Sequence, residues 1–385
     1  MAGPGRQDEP GPGESGSGGH GSGGPGPRRQ GRRRAVGLAD VAERAGVSPS
    51  LVSRVLSGAD KLRVRDDTRQ RVLAAADELR YVPHHLARNL RASRAGALGY
   101  VVHDVSNPIY AEIIRGAQKA MNTAGSVLLL VDAETVADEK ALQQLAGGGR
   151  VDGLLWQMAG GAELDSLVRV AARYVPVVLV NSRGESDISA VHLDDAAAAR
   201  LAVGHLLELG HERIGYIGGL PGSDVSDRRR SAYRAILTEA GLRPRPGWAV
   251  AGGWDPESGH RATAELLRVR PAVTAVLVAN AVVATGAVNA VTEAGLRVPE
   301  DLSIVAVHDL WFAERLTPPL TVVRLPLAEM GKRAVELLLT DQPGDAAVSE
   351  EIVEPAPELV VRGSTAPPPA GRKGAGTARS RVPAG

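Results

Sequence analysis

Residues 38–57 read LADVAERAGVSPSLVSRVLS, and the rest of the chain is organised around them. Leu38, Val41, Ala42 and Ala45 recur at helical spacing and make one apolar stripe. Gly46 ends that helix, because glycine takes a positive φ without a Cβ clash. Ser48 is a good N-cap and Pro49 suits the first position of a second helix. In that helix Val52, Val55 and Leu56 form an apolar face, while Ser50, Ser53, Arg54 and Ser57 fall at i, i+3, i+4 and i+7 on the opposite side. The polar stripe holds small donors around one Arg and no acid. Such a face suits an anionic surface, with Ser hydroxyls for phosphates and Arg54 as a bidentate fork for a guanine edge. The stretch predicts a DNA-reading helix-turn-helix. A helical hairpin with a merely polar outer face would show much of the same pattern.

Charge separates this head from the rest. The whole chain of 385 residues has a net charge of only +1, but residues 28–94 hold 16 Arg and Lys against 7 Asp and Glu. Residues 95–364 are net acidic. A basic head on an acidic body points to a nucleic-acid partner for the head alone. There are no cysteines, so disulfides and cysteine metal sites are excluded. No apolar run is long enough to span a membrane, and the N-terminus lacks the charged-then-apolar pattern of a signal peptide. The expectation is a cytoplasmic protein, at the nucleoid, without membrane contact.

Residues 1–35 are rich in Gly, Pro, Ser and Arg and are expected to be a disordered extension. Within them GPGESG and GSGGHG match a dinucleotide-binding pattern, but neither follows a strand nor opens a helix. Arg28, Arg29, Arg32, Arg33 and Arg34 suit either phosphate contact or a solvated linker. Residues 36–82 form the helix-turn-helix domain. A third helix is predicted from Asp66 to Arg80, with Val72, Leu73, Ala76 and Leu79 on one face and Asp66 and Asp67 favouring its start by capping and dipole. Pro83 closes it. Residues 83–95 read as a hinge, with Leu86, Ala87 and Leu90 on one side of a helix too short to stand alone.

From residue 97 short apolar runs alternate with helical stretches. The runs are LGYVVH (98–103), VLLLVD (127–132), GLLWQ (153–157), VVLVN (177–181), IGYIGG (214–219), AVLVAN (275–280) and SIVAVHD (303–309). Continuous apolar strands with helical crossovers predict parallel sheets covered on both faces. Ligands in such sheets bind beyond the carboxyl ends of the strands. The polar residues there are Asp104, Ser106, Asn107, Gln157, Asn181, Asn280, His308 and Asp309. Helix capping would explain Asn107, Asn280 and Asp309 equally well. His205 and His211, at the end of one helical stretch, read as surface or capping groups.

The chain resembles the lactose-repressor (LacI/GalR) family of bacterial transcription regulators. The resemblance is carried by SPSLVSRVL and continues through YVPHHLARNLRASRAGALGYVV, VSNPIYAEIIRG, LLELGHERIGYIGG, EAGLRVPEDLSIVAVHD, LTPPLTVVRLPLAEMGKRAVELLL and PELVVRGST, roughly residues 36–365. It implies an N-terminal three-helix helix-turn-helix domain, a hinge helix whose Leu90 wedges into the minor groove, and an α/β two-lobed periplasmic-binding-protein-like effector and dimerisation domain over 96–364. The chain would cross between lobes near Leu193, Arg324 and Asp341, with PELVVRG as the last strand, and 365–385 would be a disordered tail.

The resemblance also places effector contacts. Arg229 matches the arginine that grips effectors, Asn181 stands where many members have Asp, Trp254 falls at an aromatic position, and Asn280 matches the first polar residue after its strand. Departures accompany these matches. Ala281 replaces a usual Asp, His308 stands where sugar-binding members use Asp, and Ser182 with Arg183 replaces a usual Arg. An imidazole at 308 would favour an anionic or acceptor-rich ligand, most strongly below about pH 6.5. If Arg229 is not a ligand contact, a local acid such as Asp227 would pair with it.

The implied function is a sequence-specific regulator of transcription, in the sense of a repressor. It would bind a near-palindromic operator in double-stranded DNA as a homodimer, under control of a small-molecule effector that is sugar-like or otherwise small and polar. DNA contacts fall on Ser48, Pro49, Ser50, Leu51, Ser53, Arg54, Ser57 and Leu90. Effector contacts fall on Asn107, Asn181, Arg229, Trp254, Asn280 and His308. Leu51 can pack inward or touch a thymine methyl. A solute-binding receptor would use the same body but does not account for the basic head. A sugar-modifying enzyme would need a nucleophile, metal or phosphate motif, and none is present, so neither catalysis nor a cofactor is expected.

Overall fold

The computed structural model describes residues 36–56, 64–81, 94–157, 162–184, 187–341 and 346–369. The chain divides into two compact units, 1–84 and 85–385. The expected contacts Ser57 and Leu90, the arginines at 28–34, His84 and most of the hinge lie outside the described residues.

The first unit holds α1 (Leu38–Ala45), α2 (Pro49–Leu56) and α3 (Asp66–Glu78). Gly46 caps α1 at φ 65°, and its N–H donates back to the carbonyls of the last turn. Val41, Ala42, Ala45, Val52, Val55, Val72, Ala75 and Ala76 form the core. Two expectations for α3 fail. Leu73 is 48% exposed, and Ala75 takes its place in the core. The N-cap is Arg65 with no side-chain cap, so Asp66 and Asp67 lie inside the first turn, where they suit the dipole and Asp67 Oδ1 accepts from the Thr68 N–H at 2.6 Å.

The second unit contains two six-stranded sheets. The first lobe has the order β11-β5-β4-β3-β1-β2, built from β1 (Ala97–Val102), β2 (Val127–Asp132), β3 (Gly153–Gln157), β4 (Val177–Val180), β5 (Ser189–Leu193) and β11 (Ser349–Ile352). The second has β12-β10-β9-β8-β6-β7, built from β6 (Ile214–Ile217), β7 (Ala249–Val250), β8 (Ala275–Val278), β9 (Ser303–Val307), β10 (Thr321–Arg324) and β12 (Glu358–Val360). Every pairing is parallel except β10 with β12. Parallel strands need crossovers, and the helices between the strands are α4 (Pro108–Thr123), α5 (Glu139–Leu142), α6 (Ala162–Ala172), α8 (Asp224–Glu239), α9 (Pro256–Leu266) and α10 (Ala281–Glu293) within a lobe, with α7 (Asp195–Glu208) and α11 (Leu327–Thr340) following passages between lobes.

The chain passes from lobe to lobe three times. Two passages fall where the sequence places them, between Leu193 and Asp195 and between Arg324 and Leu327. The third does not fall at Asp341. The chain first returns to pair β11 with β5, and it crosses between Ile352 and Glu358. β11 reads SEEI, an exposed edge strand with one buried side chain, so no apolar run announced it. The fold also continues past Thr365. Ala366 exchanges hydrogen bonds with Ser303 through its N–H and carbonyl, and its carbonyl also meets His211 Nε2 at 2.8 Å. His211 is therefore a buried clasp for the C-terminal segment rather than a surface group.

Candidate functional site

The outer face of α2 carries the expected head residues. Ser48 caps the helix, its Oγ accepting from the Leu51 N–H, and Pro49 is its first residue. Ser50 and Arg54 are exposed and Ser53 is half-buried. Arg54 lies along the helix with Nε donating to the Ser50 carbonyl. Leu51 is half-buried and packs against the three-helix core, so its inward reading has direct support.

In the two-lobed unit all six expected effector residues line one cleft. The first lobe supplies Asn107, which caps α4, and Asn181, just past β4. The second supplies Arg229 from α8, Trp254, Asn280 beyond β8 and His308 beyond β9. Two of these hold left-handed backbone: Asn181 at φ 60° and His308 at φ 73°. Such conformations in non-glycine residues cost energy and collect at functional sites. The Trp254 ring lies against Gly219, where any Cβ would stand 2.1 Å from a ring carbon. Tyr110 also lines the cleft, its phenol pushed up to about 12 by burial, with the Asp104 charge adding to the rise.

Sequence reasoning missed Ile109, Tyr110, Ser223 and Val225. Ser223 and Val225 sit around the start of α8, a helix terminus that no strand-end rule marks. Three expected strand-end residues stay out of the cleft. Asp104 turns back onto the N–H and Oγ of Ser106. Asp309 is taken by two guanidiniums, Arg362 at 2.9 Å and Arg324 at 2.6 Å.

Arg229 is nearly fully buried and has no pairing with Asp227, which instead takes Arg230. Arg229 Nε donates to Asp195 Oδ1 at 2.6 Å, Nη1 donates to the Ala279 carbonyl, and Nη2 stands 3.1 Å from His308 Nε2. Asp195, also buried, takes Arg228 with its second oxygen, and Arg228 in turn pairs with Asp224. Arg228 and Arg229 thus share the Asp195 carboxylate, and Asp224 takes the far side of Arg228. The imidazole of His308 is held well below its usual range by burial, with the Arg229 charge pushing the same way. It is therefore uncharged at neutral pH, and the protonation expected to favour an anionic ligand below about pH 6.5 is opposed by the fold.

A basic three-helix head and a two-lobed α/β body with a polar cleft define a ligand-responsive regulator. Comparison with known proteins agrees. Residues 37–84 match the family described as bacterial regulatory proteins, lacI family, and residues 203–365 match the periplasmic binding protein-like domain. The HTH-type transcriptional repressor CytR of Escherichia coli is 33% identical over 333 residues, covering 86% of this chain and 96% of that protein. The repressor PurR of Photobacterium profundum is 30% identical over 332 residues, covering 85% and 98%. Among solved structures, the Lac repressor dimer bound to operator and the anti-inducer ONPF superposes with a TM-score of 0.71 at 27% identity, over 86% of this chain and 100% of that one. A LacI family regulator from Mycobacterium smegmatis gives 0.65 at 37% identity, over 70% and 99%. The chain belongs to the lacI family of bacterial regulatory proteins. It is a DNA-binding transcriptional regulator of the repressor kind with an effector-binding body.

Proposed function

We propose that this regulator acts in the cytoplasm as a homodimer that binds a near-palindromic operator through α2, and that a small molecule in the cleft sets its affinity for DNA. The observation that carries the reading is the gathering of Asn107, Asn181, Arg229, Trp254, Asn280 and His308 around one cleft, in a chain that also carries a basic helix-turn-helix. Exposed apolar surface supports the dimer. Edge strand β2 exposes Val127, Leu129 and Leu130, and Trp311 is 72% exposed. Such groups on both lobes are suited to burial against a second copy. Two copies of α2 would read two half-sites related by symmetry. Leu90, at the position where the family places a minor-groove wedge, would bend the duplex between them. A ligand moves the equilibrium only by its difference in affinity for the two states.

The test is selection of bound sites from random duplex DNA with the full-length protein, with and without pooled metabolites, followed by bending assays on the selected site. The expected result is an inverted repeat whose binding responds to the pool and whose bend is lost with Leu90→Ala. A selected site without inverted symmetry would sink the dimer reading.

A further inference from the structure

The deep wall of the cleft has an unusual hydrogen-bonding character. Asn280 caps α10, its Oδ1 accepting from the Val283 N–H at 2.8 Å. That bond fixes the orientation of the amide, so the end left over is Nδ2, a donor, and it has no partner in the protein. His308 can be assigned the same way. Arg229 has only donors, so the His308 Nε2 it meets at 3.1 Å must accept. The proton of the neutral ring is then on Nδ1, again a donor and again without a protein partner. Both side chains are essentially fully buried. Unpaired buried donors are costly, so they mark where a ligand's acceptors fit.

Charge is arranged as narrowly. Each nitrogen of the Arg229 guanidinium is already engaged, Nε with the Asp195 carboxylate, Nη1 with the Ala279 carbonyl and Nη2 with His308. No Asp or Glu lines the cleft among the described residues. Carboxylates would accept the hydroxyl protons of a polyol, and the deep wall offers none. The opposite lobe has Asn181, whose amide can turn either end to a ligand; its Oδ1 is also unpartnered.

We propose that the cleft takes an uncharged, amide-like ligand, a lactam or ureide, that presents carbonyl oxygens or unprotonated ring nitrogens to Asn280 and His308 and an N–H toward Asn181. Acids and phosphates would meet an Arg229 already paired with the Asp195 carboxylate. Polyol hydroxyls could also accept from these donors, but each brings a proton that needs an acceptor of its own, which a carbonyl oxygen does not. This inference rests on the reading of the cleft as the effector site.

The experiment is a competition on the full-length protein. An equimolar pool of lactams and ureides (uracil, hydantoin, allantoin), polyols (glucose, ribose) and anions (succinate, glucose 6-phosphate) is equilibrated with wild type, Asn280→Asp and Trp254→Leu, and retained compounds are measured by mass spectrometry. Asn280→Asp keeps the helix cap and replaces the donor with an acceptor, so a circular dichroism melt serves as its folding control. Wild type should enrich one or more lactams or ureides at least about tenfold over the other classes, the scale of one buried hydrogen-bond mismatch. Asn280→Asp should lose that enrichment while melting like wild type. Retention should be level between pH 6 and 8. A wild-type enrichment ratio of one or below overturns the ligand class. If polyols or anions are enriched instead and Trp254→Leu abolishes their retention, the cleft stands and only the ligand class falls. If lactams are enriched equally by all three proteins, they bind elsewhere and the cleft reading itself fails.

Discussion

Arg183, just past β4 in the first lobe, is joined to Asp224, the first residue of α8 in the second. The backbone N–H of Arg183 donates to Oδ2 at 2.9 Å and its Nε donates to Oδ1 at 3.2 Å. The same carboxylate receives Arg228, which ties it to the buried cluster beside the cleft. The sequence marks Arg183 as an arginine displaced by one position from its family place, and the structure shows what it does there. It links lobe to lobe and leaves the cleft lining to Asn181.

The two halves of this contact should separate experimentally. Arg183 is 58% exposed, so its guanidinium contributes at most about 1 kcal/mol, less at high salt. Arg183→Ala keeps the backbone bond and should raise hydrogen exchange at amide 183 by no more than about fivefold. Asp224→Ala removes that amide's acceptor and also a partner of buried Arg228, so exchange should rise roughly tenfold or more. Equal rates in the two variants would show that the lobes do not meet through this carboxylate in solution.

Acid should weaken the fold through His308. Its folded pKa lies well below the ordinary 6.5 through burial first and Arg229 second. The unfolded chain therefore binds a proton that the folded chain refuses. The neutral ring's contribution is complete above pH 6.5 and is lost as pH falls below it, with a slope of up to roughly 1.4 kcal/mol per pH unit. His103, His192, His205 and His211 are shifted in the same direction by burial and reinforce the trend. The melting temperature should drop between pH 7 and pH 5. In His308→Asn, which tolerates the left-handed backbone and cannot titrate, the drop should be shallower. An identical slope in the variant would remove His308 from the account.

The helix-turn-helix was legible because Gly46, Ser48 and Pro49 punctuate it locally and the apolar stripes follow helical periodicity. Most strands were legible as apolar runs, the exposed edge strand β2 and the buried β3 to the residue. Two edge strands were not: β11 reads SEEI, and β7 has only two residues. The cleft residues beyond β4, β8 and β9 followed from the strand-end rule. What no spacing could show was the pairing behind them. Asp195 lies 34 residues from Arg229 and opens a different helix, so the neutralisation of the arginine, and with it the tautomer of His308, exists only in the packed fold. Local reasoning offered Asp227 because it is near in sequence; Asp227 lies on α8 itself, where it reaches Arg230 three residues on.

The head offers the sharpest test of sequence reading by the protein itself. Arg54 and Ser50 are the exposed polar residues of α2, while Leu51 packs on the core. Arg54→Ala removes the only guanidinium of the helix without touching Val52 or Val55, so the fold should melt within about 0.5 kcal/mol of wild type. If Arg54 forks onto a guanine, its loss should cost roughly 1–3 kcal/mol on the selected operator and relax preference at one base pair. Affinity for random duplex, which rests on phosphate contacts, should change far less. The decisive measurement is a salt titration on both duplexes. A base-reading Arg54 lowers affinity for the operator and leaves the salt slope unchanged. A phosphate contact lowers both affinities together and reduces the slope by about one. The second outcome would move sequence reading to other residues of the head.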